Sequence, residues 1–463
     1  MSANNTENVE LSADLLRFNF QQVFQKIEVI EKKSLLQSPK ILANLSFKML
    51  QEKGEDLKKW TSITKAYKED FATKIDIPLE RIKILFVTAI FPDTNHGGGL
   101  RVFDLINELS DKGHEVYLYT CAPQYQDSES YNILKQVCCS VNVVESSNFT
   151  EPMLTRWIIK RSLIFDLGYY IWPESVNLFP TNRALIKKIA FEFIECTVRR
   201  LWIDFLTIDD KKSSIEDLLF NFWTHYYCET CAAKQADILI TLTPKDHDFV
   251  KELYFNMDSL VSLTGISSLE FDKNVISSVN LVSNSACFIG NYDHYPNIDG
   301  LVWYLDNIHE KVVSNIPDYT FSIIGYGAEV ALEKLRNEYE RFSSSIRWVG
   351  PVDKVAESLV NYTICLCPLV SGAGLRGKVI QYSALRKATV STTIGICGMP
   401  FKDNESIFVA DSIDVFAQKT VLLLRETELR TRIAESAYNL AWNHFSWTRE
   451  IQKLETHFRT GCK

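Results

Sequence analysis

Between Ser371 and Gln381 the chain reads SGAGLRGKVIQ, with three glycines and two cations inside eleven residues. A buried-strand pattern, YTICLCPLV (Tyr362–Val370), precedes it and a helical pattern, VIQYSALR, follows. Glycines at Gly372, Gly374 and Gly377 let backbone N–H groups approach an anion, and the helix start adds partial positive charge. Arg376 contributes a planar guanidinium and Lys378 a compact ammonium beside the same turn. Two such cations suit a diphosphate and would neutralise the charge that grows on it as a leaving group. A glycine-rich strand-to-helix turn is also what a tight connection alone requires, so the two readings stand side by side here.

Other polar residues are weaker candidates. His96 precedes the glycines Gly97, Gly98 and Gly99, and His294 lies in a polar turn after a strand. Either could carry a proton or be a loop residue. Asp209 and Asp210 read as a solvated turn. Cys228 and Cys231 form a single CxxC without a second pair, and on a helix they face neighbouring turns. HExxH and Walker-lysine patterns do not occur, and no metal site is expected.

These residues need a scaffold. IKILFVTAIF (Ile82–Phe91) is a continuous apolar run, as for a strand buried on both faces. The glycines follow, then LRVFDLINELSDKG (Leu100–Gly113) at helical spacing, then the strand HEVYLYT (His114–Thr120). ADILITLT (Ala236–Thr243) is a further strand. From Ser285 a second strand–turn–helix series begins: SACFIGNYDHYPNIDGL, YTFSIIGYG, IRWVGPVDK, YTICLCPLV and KATVSTT. This predicts two doubly wound α/β domains facing a cleft, where such sheets bind ligands. The expected boundaries are a helical arm over 1–80, a first domain over 81–268, a second over 269–440, and a closing segment, 441–463, whose helix crosses back. Residues 150–230 read as less regular. There RWIIKRSLIFDLGYYIW (Arg156–Trp172) suits a substrate wall, a membrane-facing surface, or a buried helix plus loop. The arm carries apolar stripes at Leu16, Phe20, Phe24, Ile27 and Ile30 and over Leu45–Tyr67, which suit packing on the body or on another subunit more than on a membrane.

The composition narrows the function. A formal net charge of −8 argues against a nucleic-acid binder, and 46% hydrophobic residues supply real cores. The polar, acidic opening lacks the pattern of a secretory signal, and no run has the ~18–20 apolar residues of a membrane span. Eleven cysteines without framework spacing then suggest reduced thiols and a cytoplasmic location, with peripheral membrane contact through the arm as the variant.

GAGLRGKVIQYSALRKATVSTTIGICGM (Gly372–Met399) resembles the nucleotide-sugar segment of GT-B glycosyltransferases of family 4, or group 1, in the branch with a GAGxKGK pattern. Gly372, Ala373, Gly374, Gly377, Lys378, Ala384, Val390 and Thr392 match, with Arg376 where the branch has lysine. CFIGNYDHYPNIDGLVWY, FSIIGYG, IRWVGPVDK and the FSW at Phe445–Trp447 agree in order, and ILFVTAIFPDTNHGGGLRVFDLINEL resembles the start of the acceptor domain. The resemblance implies a retaining enzyme that moves a sugar from a nucleoside-diphosphate sugar, UDP or GDP type, to a hydroxyl of a glycan, lipid or protein. It needs no metal or further cofactor. Arg376 and Lys378 would hold the diphosphate, with Gly374 and Leu375 in the turn. Gly98 and Gly99 would lie across the cleft, His96 near the reacting sugar, Val349 and Val352 at the base, and Gly290 close to the ligand. The loop Thr207–Lys211 would approach the acceptor side. Where the family usually has two glutamates this chain has Ala373 and Gln381. The branch commonly lacks the first. The second would bind ribose hydroxyls, which glutamine does as a neutral amide. That departure keeps open a non-catalytic sugar-nucleotide scaffold or partner subunit.

Overall fold

The computed structural model describes residues 81–460, apart from 95–96, 127, 207–214, 255–257, 268–270, 272–280, 353 and 373–374. The N-terminal arm therefore lies outside the described residues, as do His96, Gly374 and the Asp209–Asp210 turn.

Two parallel sheets organise the rest. The first has seven strands in the order β3-β2-β1-β4-β5-β6-β7: β1 Lys83–Thr88, β2 Glu115–Cys121, β3 Ser140–Val144, β4 Phe165–Ile171, β5 Ile186–Phe193, β6 Ile238–Thr241 and β7 Ser259–Val261. The second has six in the order β10-β9-β8-β11-β12-β13: β8 Val282–Ile289, β9 Thr320–Ile324, β10 Ile346–Gly350, β11 Tyr362–Cys367, β12 Thr389–Ser391 and β13 Phe408–Val409. Strand order reverses between β1 and β4 in one sheet and between β8 and β11 in the other. Each reversal opens a crevice at the carboxyl ends of the strands. This is the GT-B arrangement of two Rossmann-like domains.

Residues 150–230 are more regular than their sequence suggests. Helix Glu151–Lys160 buries Leu154, Trp157 and Ile158. Two core strands then follow, β4 and β5, in parallel register from Phe165↔Ile186 to Ile171↔Glu192. The strand β5, IKKIAFEF, hides in the sequence because it carries three charges. Two of those are buried with partners. Lys188 donates from Nζ to the Phe458 carbonyl at 3.0 Å, and Glu192 accepts from Arg101.

The Arg101–Glu192 pair is the centre of the first domain. Nε meets Oε1 at 2.8 Å and Nη2 meets Oε2 at 3.0 Å, with both side chains at most 1% exposed. Tyr169 donates its hydroxyl to the same carboxylate. Arg101 also donates to the Leu263 carbonyl at 2.8 Å and to Ser262 Oγ at 3.2 Å. Its guanidinium carbon lies 5.5 Å from the Trp447 ring centroid. Trp447 opens the last helix, Trp447–Thr460, and with Ile451, Leu454 and Phe458 it is part of the first domain's core.

Replacing Arg101 with methionine leaves a buried carboxylate without its counter-charge. We expect a loss of about 3–5 kcal/mol in urea denaturation, with the double variant Arg101→Met/Glu192→Gln recovering part of it. Equal losses in the single and double variants would show that the pair is not the source.

Candidate active site

The second sheet supplies a chain of turns at its strand ends. Gly290 donates its N–H to the Ile324 carbonyl at 3.0 Å, and Gly325 donates to the Gly350 carbonyl at 2.8 Å. Gly325 has φ +123, and a Cβ there would fall 1.9 Å from the Gly290 carbonyl oxygen, so only glycine fits. Val349 and Val352 flank Gly350. Val349 is 43% exposed, whereas Val352 packs on the core. The side chain of Asn297 lies beside Gly290, within 3.0 Å of where a Cβ would stand.

Asn297 is the bridge to the cations. Its Nδ2 donates to the Asn291 carbonyl at 2.7 Å, which orients Oδ1 to accept from Lys378 Nζ at 2.5 Å. The same ammonium lies 4.3 Å from the Phe288 ring centroid. Burial pushes the Lys378 pKa down to about 8, against the field of Cys367 and with that of Arg376. Helix Gly377–Ala384 begins here, directly after Arg376. Arg376 is 9% exposed and folds back over the turn, where a Cβ on Gly372 (φ +99) would stand 2.9 Å from Nη2. Burial lowers its pKa as well, opposed by Glu195, Cys367, Cys397 and Asp246. Gln381 is half-buried one turn beyond Lys378, and Leu375 packs against the second core.

Glu195 and Asp246 belong to the first domain, so their fields on Arg376 cross the cleft. Arg200 donates to Glu195 at 2.9 Å, and Arg199 to Asp246 at 3.0 Å. A Cβ on Gly398 would stand 3.2 Å from Thr243 Cβ, so the two domains nearly touch there. Between them lies a cavity of about 260 Å³ lined by Ile90, Gly98, Trp172, Phe193, Glu195 and His294, among others. Partial burial, with Arg200, Arg376 and Lys378 nearby, pushes the His294 pKa down to about 4. Its imidazole is neutral near pH 7 and open to the cleft.

The structure thus brings Gly98, Gly290, Arg376 and Lys378 to one cleft. Gly97–Gly99 are the first turn of helix Gly97–Asp111 rather than a free loop, with Gly98 at the cavity and Gly99 buried. A helix start presents its N–H groups to the crevice, and glycines keep that end uncovered. Sequence reasoning missed Asn297, Glu195 and Arg200, and met Trp172 only as the last residue of the Arg156–Trp172 stretch, for which a substrate wall is one of three readings. Asn297 had the PN dipeptide after a strand as its signal.

Residues 283–426 match the family model described as glycosyl transferases group 1. Residues 283–426 are a group 1 glycosyl transferase domain. The chain is therefore a glycosyltransferase. A protein from the cps region of Klebsiella pneumoniae, described as uncharacterized and of 44.6 kDa, is 22% identical over 396 residues, spanning 78% of this chain and 96% of its own. Among solved structures, Anabaena HepE in complex with UDP and glucose superimposes with a TM-score of 0.62 at 13% identity, covering 81% of this chain and 98% of that one. TarM of S. aureus, with UDP, fondaparinux and an α-GlcNAc-glycerol, has a TM-score of 0.62 at 12% identity, covering 82% and 100%. WaaG, a glycosyltransferase of lipopolysaccharide biosynthesis, has 0.57 at 13%, covering 82% and 100%. These likenesses show the GT-B fold.

The lowered Lys378 pKa sets a pH dependence for this glycosyltransferase. Lys378 falls from its ordinary 10.5 to about 8 in the folded chain. Between those values the unfolded chain binds the extra proton, so this lysine's contribution to stability rises with pH across that window. Anion binding has the opposite sign, because it requires the ammonium. Affinity for an anion that contacts this ammonium should fall as pH passes 8, by up to about tenfold per pH unit. Calorimetry in buffers of different ionisation enthalpy should show proton uptake on binding above pH 8. A pH-independent affinity from 7 to 9.5 would contradict it.

Proposed function

We propose that the chain transfers a sugar from a nucleoside-diphosphate sugar, of UDP or GDP type, to an acceptor hydroxyl, with retention of anomeric configuration. The observation that carries this is the convergence of Arg376 and Lys378 on one helix start. They are held there by Gly372 and Asn297, opposite a cavity in the other domain. Both cations are kept charged at a desolvation cost that an anionic ligand would offset. That the superimposed HepE and TarM structures hold UDP supports the UDP type.

In this reading the diphosphate lies against Arg376, Lys378 and the N–H groups that open helix Gly377–Ala384. Their charge stabilises the leaving group as the glycosidic bond lengthens. The acceptor hydroxyl attacks from the face the diphosphate leaves and passes its proton to it. No side-chain nucleophile, metal or other cofactor is assigned. Gly290 and the turns at Gly325 and Gly350 let the nucleoside approach the strand ends, with Val349 and Val352 at the base and Gln381 at the ribose. Gly374 and His96 keep the roles their family positions imply. Gly98 and Gly99 face the phosphates from the first domain. The finer assignment to the GAGxKGK branch rests on Gly372–Met399.

The acceptor is a glycan, a lipid or a protein. No described helix is long and apolar enough to cross a membrane. We place the chain in the cytoplasm, with peripheral membrane contact through the N-terminal arm as the variant. One residue favours the alternative of a non-catalytic sugar-nucleotide binder, namely Gln381 where the family has glutamate.

Thermal shift against UDP, GDP, ADP and dTDP tests the donor reading. A true ligand at 100 times its dissociation constant adds about 2.7 kcal/mol. Lys378→Ala should abolish the shift, and failure of all four nucleotides on the unaltered chain would sink the reading. Turnover separates enzyme from scaffold. Arg376→Ala should lower kcat by about 10²–10³, and Gln381→Glu should preserve or raise donor affinity. Absence of transfer and of donor hydrolysis in a nucleotide-sugar mixture that binds would favour the scaffold.

A further inference from the structure

Trp172 is the one large aromatic residue among the described residues with a left-handed backbone, at φ +66 and ψ 146. A bulky side chain there is a genuine outlier, and such strain persists only where the surroundings hold it. Two contacts hold it here. Ser175 donates to the Trp172 carbonyl from its N–H at 3.0 Å and from its hydroxyl at 2.8 Å. Pro173 adds its own restriction, since the residue before a proline is confined to extended ψ. The sequence spends this strain at the carboxyl end of β4, the strand that flanks the reversal in the first sheet. The residue it places there lines the cleft cavity.

The rest of that wall has a consistent chemistry. Ile90 and Phe193 make it apolar. Glu195 brings a carboxylate, paired on one side by Arg200. Gly98 and His294 mark the edge toward the donor cations. At about 260 Å³ the space lies below the ~300 Å³ where pockets for drug-sized ligands begin. An aromatic face beside a carboxylate is a fitting surface for a pyranose. The ring's C–H face packs on the indole while its hydroxyls donate to the acid.

We propose that this cavity is the acceptor subsite and takes one uncharged pyranose ring, packed on Trp172 and hydrogen-bonded through its hydroxyls to Glu195. The acceptor of the transfer is then a saccharide, free or carried on a larger molecule, rather than a protein hydroxyl or a bare lipid headgroup. The inference rests on the donor reading above for its direction, since the attacking hydroxyl must point past Gly98 to Arg376 and Lys378. Trp172 sets which acceptor fits, and Glu195 orients it.

The test is saturation-transfer NMR on the full chain with saturating UDP. The probes are the methyl glycosides of glucose, galactose, mannose and N-acetylglucosamine, with glycerol phosphate as the non-saccharide control. At least one glycoside should receive saturation and the control should not. Trp172→Gly suits the backbone angle and removes the ring. It should weaken that glycoside by about tenfold while leaving UDP affinity within about twofold. Trp172→Phe should retain most of the binding. Glu195→Gln gives a second route if the glycine variant does not fold, and should also weaken the glycoside by about tenfold. Absence of binding by every glycoside to UDP-loaded protein overturns the subsite. Undiminished binding in both Trp172→Gly and Glu195→Gln does so too, as does preference for glycerol phosphate. If UDP does not bind, the UDP type fails and the nucleotide that does bind takes its place in the test; if none of the four nucleotides binds, the donor reading fails. A glycoside signal lost in Trp172→Gly would still support the subsite.

Discussion

The buried Arg101–Glu192 pair fixes where the cleft is. Arg101 stands on the first full turn after the glycines, Glu192 near the end of β5, and the guanidinium also reaches the Leu263 carbonyl where the chain leaves the first sheet. Trp447, at the start of the last helix, covers it. Four segments distant in sequence therefore share one charge pair. A buried ion pair gives little net stability over apolar packing, but it penalises every arrangement that separates its partners. Here that penalty holds the glycine helix start, the cavity floor and the closing helix in one register. Gly265 tightens it further, since a Cβ there would stand 2.3 Å from the Trp447 ring.

From that frame the site's electrostatics follow. Arg376 and Lys378 come from the second domain, while Glu195 and Asp246 come from the first with Arg199 and Arg200 as partners. Burial lowers the pKa of both donor-side cations, and the carboxylates across the cleft oppose that shift at Arg376. Burial first, and then the fields of Arg200, Arg376 and Lys378, hold His294 neutral. In the proposed reading a diphosphate offsets the desolvation of both cations between the two sheets.

The parts legible in the sequence are those whose logic is local. The strand–glycine–helix units read directly, because apolar runs, glycine turns and helical spacing are all contained in about twenty residues. The cation pair at Arg376 and Lys378 reads for the same reason. What did not read depends on partners far away. The strand β5 contains Lys188 and Glu192, whose partners are 270 and 91 residues distant, so charges that mark a surface in the sequence are core in the fold. Trp172 closes a stretch whose aromatics suit a substrate wall among other readings, but its placement did not read, because a positive φ at tryptophan contradicts its local preference. Glu195 and Arg200 look like an ordinary helix-start pair until the second domain is placed opposite them.

That division has a structural cause. Each sheet reverses its strand order once, and each reversal leaves an open crevice at the carboxyl ends. Topology therefore makes two half-sites before any side chain is specified, one between β1 and β4 and one between β8 and β11. The half-site at β8 and β11 takes both its cations, Arg376 and Lys378, from one turn and one helix start, with Asn297 from a second segment holding Lys378. The half-site at β1 and β4 is walled by residues from five separate segments, from Ile90 to His294. A ligand recognised by shape and stacking needs walls on several sides, and no single segment can supply them.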